Sequence, residues 1–336
     1  MTINIGAHFR VHKLGLCIIV IILIVLYLYS VRQSSYSQIN NREVSLKNLL
    51  ASAIKAAEIG GIEVVRVHDN PKYAIESKGK TKEGVNDPVT LADYQSHCAM
   101  YQFLSSVFSN VDIISEEQAP SCDPMETPDL NGANRNIENY NSVKDLIVQA
   151  SDVTVWIDPL DATKEFTENL LDYVTTMVCI AVEGIPIIGV IHKPFAPKQT
   201  YWAWVDYGVS RNLKNIFSPI EKTPVLIVSR SHAGRVHNAS KTAFGDNVKI
   251  VSAAGAGFKS LEVASGNATA YIHMTNIKKW DVCAGAAIIS ALGGTVTSLS
   301  GEPMTDFSPG KSKVLEHGLL ATMADHKWYL DKFHYL

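Results

Sequence analysis

Residues 153–163 read Val153-Thr154-Val155-Trp156-Ile157-Asp158-Pro159-Leu160-Asp161-Ala162-Thr163. The first five are β-branched or aromatic, which predicts a buried strand. Pro159 has no N–H to give a ladder, so the strand is expected to stop at Asp158. Asp161 then opens a helix with Thr163 in its first turn. This sets two carboxylates at a strand end, beside a helix N-terminus with free N–H groups and a positive dipole. Carboxylates hold hard divalent cations, and helix N-termini attract phosphate. Taken alone, the stretch equally fits a turn at Asp158 and an ordinary cap at Asp161.

Three more acidic clusters lie outward from it. Asp87-Pro88-Val89-Thr90-Leu91-Ala92-Asp93 places an acid at a helix start, just after a threonine. Ile113-Ile114-Ser115-Glu116-Glu117 puts paired acids at the end of a short strand from Val111. Lys279-Trp280-Asp281-Val282-Cys283-Ala284-Gly285 puts one at the head of a small-residue helix. Each alone reads as a cap or a solvated end. Together they occupy strand ends and helix starts beside apolar runs.

The rest of the chain alternates helices and strands. Ser45 caps a helix to about Val65, with Leu46, Leu49, Leu50, Ala53, Ile54 and Ala57 on one stripe. Residues 76–86 read as a charged loop, and 118–142 as a loop or insertion rich in Asn, Pro and Asp. Strands are expected at 173–182, 185–192, 200–205, 225–229, 248–252 and 268–273, with a hairpin turn at Glu183-Gly184. Helices are expected from about Ala256, after Asp281 and near 325–334. The fold class is mixed α/β in two lobes that divide near residues 206–222.

The 336 residues are 46% hydrophobic and 19% charged, with a formal net charge of −3. That excludes a disordered chain and argues against a nucleic-acid partner. Five cysteines form no disulfide framework, and at least one is unpaired within the chain. Cys179 and Cys283 read as core, while Cys98 and Cys122 are free to pair in an oxidising compartment. The balance is uneven: residues 1–33 hold Arg10, Lys13 and Arg32 and no acid, so 27 bases and 33 acids remain for the rest. Between Lys13 and Arg32 runs LGLCIIVIILIVLYLY (14–29) without a charge. As a helix, residues 14–31 span roughly 27 Å, enough for a thin bilayer. Tyr27 and Tyr29 suit the interface, and no small-residue cleavage site follows. The expected order is a cytosolic tail (1–13), a transmembrane signal-anchor (14–31), a stalk (32–44), an N-terminal α+β lobe with the metal site (45–210) and a C-terminal α/β lobe (211–336). The acid-free tail favours a cytosolic N-terminus, with the remainder lumenal; the sequons at Asn238 and Asn267 are compatible with that side.

The four acidic motifs, in this order, resemble the inositol monophosphatase-like phosphatases, from about residue 45 to the C-terminus. The resemblance implies a layered α/β/α/β/α sandwich and a Mg²⁺-dependent, lithium-sensitive phosphomonoesterase with two or three ions. It implies that Glu116, Asp158, Asp161, Asp281 and the Leu160 carbonyl are metal ligands. Asp93 and Thr163 would orient and deprotonate the attacking water, with Asp93 also holding a further ion through water. Glu117 is the weaker candidate of its pair, and Lys164 has no implied role.

Two elements of the C-terminal half suggest the ester. Ser229-Arg230-Ser231-His232 follows one strand, and Gly255-Ala256-Gly257-Phe258-Lys259 follows the next. A strand-end Ser-x-x-His can hydrogen-bond a phosphate or sugar, Gly-x-Gly lets backbone approach a ligand, and lysine adds a point charge. Turn chemistry and a surface lysine account for them equally well. Within the family they look like the nucleotide contacts of the 3′-phosphoadenosine 5′-phosphate phosphatases, which implies that Thr163, Ser229, His232, Gly255 and Lys259 touch substrate. The block Val174-Thr175-Thr176-Met177-Val178, the run Gly189-Val190-Ile191-His192-Lys193-Pro194 and the N-terminal anchor look nearest the Golgi-resident branch. His192 could approach the site or serve the core. The implied job is hydrolysis of 3′-phosphoadenosine 5′-phosphate to AMP and phosphate in the Golgi lumen, in support of glycan sulfation. The implied placement is a single-pass type II Golgi membrane protein. Other phosphate esters, or a catalytically dead membrane-anchored scaffold, are the alternatives.

Overall fold

The computed structural model describes residues 2–4, 10–12, 15, 18–29, 43–70, 75–80, 86–118, 122, 142–214 and 224–333. The chain divides into two units, residues 1–44 and 45–336. In the first, Thr2–Asn4 and Arg10–His12 pair antiparallel. Residues 18–29 are helical, with apolar side chains 47% to 68% exposed. Among the described residues no helix is long and apolar enough to cross a membrane. Residues 14, 16, 17, 30 and 31 of the expected span, and most of the expected stalk, lie outside the described residues.

The second unit opens with α1 (Leu46–His68), whose first turn is closed by Ser45 Oγ accepting from the Asn48 amide at 3.1 Å. All six residues of the expected stripe are buried. The described ends of the segment read as a charged loop, 76–86, are paired strands instead, β1 (Ile75–Lys80) against β2 (Asn86–Thr90), and residues 81–85 lie outside the described residues. Its glycine and lysines mask strand periodicity, and only pairing reveals it. Then follow α2 (Leu91–Val107), β3 (Asp112–Ser115), β4 (Val153–Asp161) and α3 (Thr163–Thr167). Residues 119–121 and 123–141, the bulk of the expected insertion, lie outside the described residues. Next come β5 (Thr175–Val182), β6 (Ile185–Lys193), β7 (Gln199–Trp204) and β8 (Gly208–Val209). These strands form one mixed sheet in the order β8-β7-β6-β5-β4-β3, with only β3 and β4 parallel. Glu183 and Gly184 both take positive φ, 50° and 77°, as the expected two-residue hairpin turn requires.

The remaining elements are β9 (Val225–Ser229), α4 (Val236–Phe244), β10 (Lys249–Ala253), α5 (Ala256–Ala264) and β11 (Ala270–His273). They are followed by α6 (Lys279–Ala291), β12 (Thr295–Thr297), β13 (Leu319–Thr322) and α7 (His326–Phe333). Helix α4 has no side-chain cap, so nothing local announces it. The second sheet runs β10-β9-β11-β13-β12, with β9 parallel to β10 and β11 and the other pairs antiparallel.

Strand alternation sorts the layers. Leu226, Val228, Ala270, Ile272 and Leu320 pack on α4 and α7, while Ile227, Tyr271 and Ala321 face α5 and α6. Trp156, Met177, Cys179 and Ile191 of the first sheet face the same two helices. On the other face, α1 lies against β5 and β6, where Thr176 Oγ1 donates to the Ala57 carbonyl at 2.7 Å. The order is helix pair, sheet, helix pair, sheet, helix pair. Helix α6 sits so close to β6 that a Cβ on Gly189 would lie 2.2 Å from the Ala284 carbonyl oxygen.

Two disulfides are present among the described residues. Cys98–Cys122 realises the pairing that the sequence left open. Cys179 and Cys283, expected as core thiols, are core but bonded to each other, joining β5 to α6. Their apolar surroundings and separation of 104 residues hid that they face each other. Cys17 lies outside the described residues.

Candidate active site

Strand β4 does not stop at Asp158. It continues to Asp161 with a register shift against β5, and the whole segment is buried. Pro159 is accommodated at that irregularity. The Pro159 carbonyl accepts from Ser96 Oγ of α2 at 2.6 Å, which anchors the bend. Ala162 then takes a left-handed φ of 70°, and α3 starts at Thr163 and lasts five residues. Asp161 therefore does not cap the helix that follows it. Its Oδ1 accepts from the Ala256 amide at 3.0 Å, and its Oδ2 from the Gly257 amide at 2.8 Å and Thr175 Oγ1 at 3.0 Å. It caps α5, 95 residues away.

The same device recurs twice. Asp93 is the third residue of α2, and its Oδ2 accepts from the amide and hydroxyl of Thr90, both at 2.7 Å. Asp281 holds the corresponding place in α6, accepting from the Lys278 amide at 3.0 Å. Helix N-termini thus stabilise three carboxylates.

Asp158 has no such support. It is 1% exposed, and neither carboxylate oxygen has a hydrogen-bond partner among the described residues. Its ligand atom, with those of Glu116 and Asp281, lies within 4.8 Å of the others. Glu116 is brought there by β3, whose preceding Ser115 meets His97 Nδ1 at 2.8 Å. Burial, then the charges of Glu116, Asp161, Asp281 and Asp93, push the Asp158 carboxyl well above the carboxylate range. Burial, then Asp161, raises Asp281 to about 7. A buried carboxylate with no donor is costly, and a bound divalent cation relieves that cost. A donor set of carboxylates suits a hard ion such as Mg²⁺.

Beside the cluster, Thr163 Oγ1 lies 2.9 Å from Asp93 Oδ1 and 3.1 Å from the Leu160 carbonyl oxygen. Asp93 is 1% exposed, and its carboxyl is raised to about 6, mainly by burial against the lowering effect of Thr90. Glu117 is buried outside the three-carboxylate cluster, and its charge adds to the Asp93 shift.

A cavity of about 510 Å³ joins these residues to those of the C-terminal half. Glu116, Asp158, Leu160, Asp161, Thr163 and Asp281 line one part, with Ser229, His232, Gly255 and Lys259 in the same wall. Asp93 reaches it only through Thr163. Several of the expected substrate contacts also have internal work. Ser229 Oγ accepts from the His232 amide at 3.0 Å. Gly255 has a φ of 65°, and a Cβ there would sit 2.6 Å from the Tyr173 carbonyl oxygen. Lys259 is 3% exposed, donates to the Gly255 carbonyl and lies over the Tyr271 ring at 5.2 Å. Burial lowers it to about 8, against the raising effect of Asp161, Glu165 and Asp281.

His192 lies in the core instead, bonded to Thr200 Oγ1 at 2.8 Å and packed under Gly61 of α1. Sequence reasoning missed Ser96 and His97, one turn beyond Asp93, and Thr175, whose hydroxyl orients Asp161. It also missed Glu165. Only the first two carried a local signal, as polar residues on the same helix face as Ala92, Ala99, Met100, Phe103 and Leu104.

The inositol monophosphatase family model matches residues 45–334. The chain is 47% identical over 290 residues to the Golgi-resident adenosine 3′,5′-bisphosphate 3′-phosphatase of Rattus norvegicus, covering 83% of this chain and 78% of that one. It is 43% identical over 298 residues to inositol monophosphatase 3 of Xenopus tropicalis, covering 86% and 81%. In fold it is similar to the extragenic suppressor protein suhB of Bartonella henselae, with a TM-score of 0.62 and 17% identity over 85% of this chain and 98% of that one. With its acidic cluster, its layered sheets and a match over nearly the whole of its larger unit, the chain belongs to the inositol monophosphatase family.

Proposed function

We propose that this protein is a Mg²⁺-dependent phosphatase that hydrolyses 3′-phosphoadenosine 5′-phosphate to AMP and phosphate on the lumenal side of the Golgi membrane. The observation that carries the metal chemistry is Asp158, a buried carboxylate without a hydrogen-bond donor among the described residues, beside Glu116 and Asp281. These three residues, with Asp161 and the Leu160 carbonyl, would hold two or three ions. Bound there, Mg²⁺ supplies Lewis acidity at the phosphoryl oxygens and makes water more acidic.

The chain's own groups handle the proton. The Thr163 hydroxyl donates to Asp93 Oδ1, which turns its oxygen lone pairs toward an incoming water. As the water attacks in line with the leaving oxygen, its proton passes to Thr163 Oγ1 and the threonine proton to Asp93 Oδ1. A carboxyl held near 6 is ionised at neutral pH and still basic enough to accept. The reaching of Ser229, His232, Gly255 and Lys259 into the same cavity supports a substrate larger than the reacting phosphate.

Three observations support the compartment. Two disulfides suit an oxidising lumen. Asn238 and Asn267 are both exposed. The helical residues 18–29 leave apolar side chains open on every side, as expected of an anchor in lipid. We assign residues 45–210 and 211–336 to the two lobes, one around each sheet.

Phosphate release from purified residues 34–336 tests the substrate, using adenosine 3′,5′-bisphosphate, inositol 1-phosphate and a sugar phosphate. We expect at least about a tenfold preference in kcat/KM for the bisphosphate, and inhibition by lithium. The frog relative's name favours the second reading, an inositol phosphate phosphatase, and a preference for inositol 1-phosphate would establish it. No Mg²⁺-dependent turnover on any ester would leave a scaffold. Protease protection of intact vesicles tests the orientation.

Metal binding should be coupled to pH. Asp93, Asp158 and Asp281 have folded-state pKa values raised above their ordinary 3.8, to about 6 and about 7 for the first and last. From about pH 4 to 7 the unfolded chain gives up these protons while the folded chain retains them, so metal-free stability falls as pH rises through that window. Mg²⁺ binds the ionised form and opposes the fall. The rise in Tm caused by 10 mM Mg²⁺ should therefore be at least about 4 °C greater at pH 8 than at pH 5.5. An increment independent of pH would contradict the assigned ligand set.

A further inference from the structure

A cavity for a polyanion should not contain a buried carboxylate without a reason, yet Glu165 lines it at 3% exposure. It is outside the acidic cluster and takes no part in the proton path. Its Oε1 accepts from Ser231 Oγ at 3.0 Å and pairs with Arg230 Nη1 at 3.4 Å. The same guanidinium reaches Glu168 Oε2 through Nη2 at 2.9 Å. Glu165 and Glu168 belong to α3 and the residue just after it, while Arg230 and Ser231 lie just after β9.

These contacts link two parts of the site that the sequence separates by 65 residues. Helix α3 begins at Thr163, which bonds Asp93, and so belongs to the reacting end. The segment after β9 carries Ser229 and His232, themselves joined by a hydrogen bond from the His232 amide. Glu165, the buried one of the two carboxylates on Arg230 and the one that also holds Ser231, therefore bridges the place where phosphate reacts and the place where the rest of the substrate is held. With its charge engaged by a hydroxyl and a guanidinium, Glu165 also repels an incoming anion less than a bare carboxylate would.

We infer that Glu165 is a positioning residue for substrate preference: by holding Ser231 and Arg230 against α3, it fixes the Ser229–His232 segment at the distance a nucleoside bisphosphate needs, and a compact monoester does not. The inference rests on the nucleotide reading above.

The test is the ratio of kcat/KM for adenosine 3′,5′-bisphosphate to that for 4-nitrophenyl phosphate, measured on residues 34–336. In Glu165→Gln the ratio should fall at least tenfold, mostly through a higher KM for the bisphosphate, with its kcat changed less than about threefold. Glu165→Asp should recover part of the loss, because it keeps the charge. Ser231→Ala, which leaves the buried carboxylate paired with Arg230, should lower the ratio in the same direction and keeps the test open if Glu165 variants fold poorly. Equal losses on both esters, or an unchanged ratio in both Glu165→Gln and Ser231→Ala, would overturn the positioning role while the nucleotide reading stands. A wild-type protein without preference for the bisphosphate would overturn the nucleotide reading, and this inference with it.

Discussion

Asp158→Asn yields a folded protein whose turnover is lower by about a thousandfold or more, and whose metal-free form is more stable than wild type. The first effect follows from the site. Asp158 lies within 4.8 Å of Glu116 and Asp281, with both oxygens unengaged among the described residues, and the cation that would neutralise it would stabilise charge in the transition state. An amide cannot replace that ionised ligand. The second effect follows from electrostatics. Asp158 bears the cost of burial and of four neighbouring acids, which hold its carboxyl well above the ordinary range. Asn removes that charge at nearly the same volume, and its amide hydrogens face the Glu116 and Asp281 carboxylates as acceptors. Tm in EDTA at pH 8 should rise by about 2–5 °C, while the increment from added Mg²⁺ shrinks to a small fraction of the wild-type value. Activity within a few-fold of wild type would remove Asp158 from the metal site. A lower Tm in EDTA would make it a structural residue.

Breaking the Cys179–Cys283 disulfide should have the largest effect on stability. The bond closes a loop of 104 residues between β5 and α6, and a chain-entropy estimate for such a loop is about 4–5 kcal/mol. Both cysteines are fully buried, so the change to alanine also leaves space in the core. Cys283 sits two residues beyond Asp281, and the staple holds the start of α6 against the sheet that carries Asp158. The double variant Cys179→Ala/Cys283→Ala should lose on the order of 10 °C in Tm and bind Mg²⁺ more weakly, as read from the Mg²⁺-induced Tm shift. Non-reducing peptide mapping of the purified full-length wild-type chain should find the two cysteines linked. Free thiols at both positions, or a double variant as stable as wild type, would refute the clamp.

Much of the site was legible in local sequence. Each expected carboxylate ligand was read at a strand end or in the first turn of a helix, and short-range rules mark those places. Ser45 and Thr90 are recognisable caps, the Glu183-Gly184 turn takes the positive φ its residues permit, and runs such as Val225–Ser229 alternate between two buried faces. Where expectation failed, the deciding contact was distant. Asp161 reads as a cap for the helix after it, and geometry gives its oxygens to α5. The segment 76–86 reads as a charged loop, but its described ends belong to two strands, 75–80 and 86–90, that satisfy each other's backbone, which composition does not reveal.

By itself, then, the sequence determined which acids are available to the candidate site, the order of most elements and the unequal distribution of charge, since these follow from residue type and from neighbours within a turn or two. Tertiary structure alone decided which carboxylate is left without a donor among the described residues, which cysteines meet, and that Glu165 ties α3 to the segment just after β9. Those outcomes depend on how close two distant backbones come, and that distance is set when the sheets and the helices between them pack.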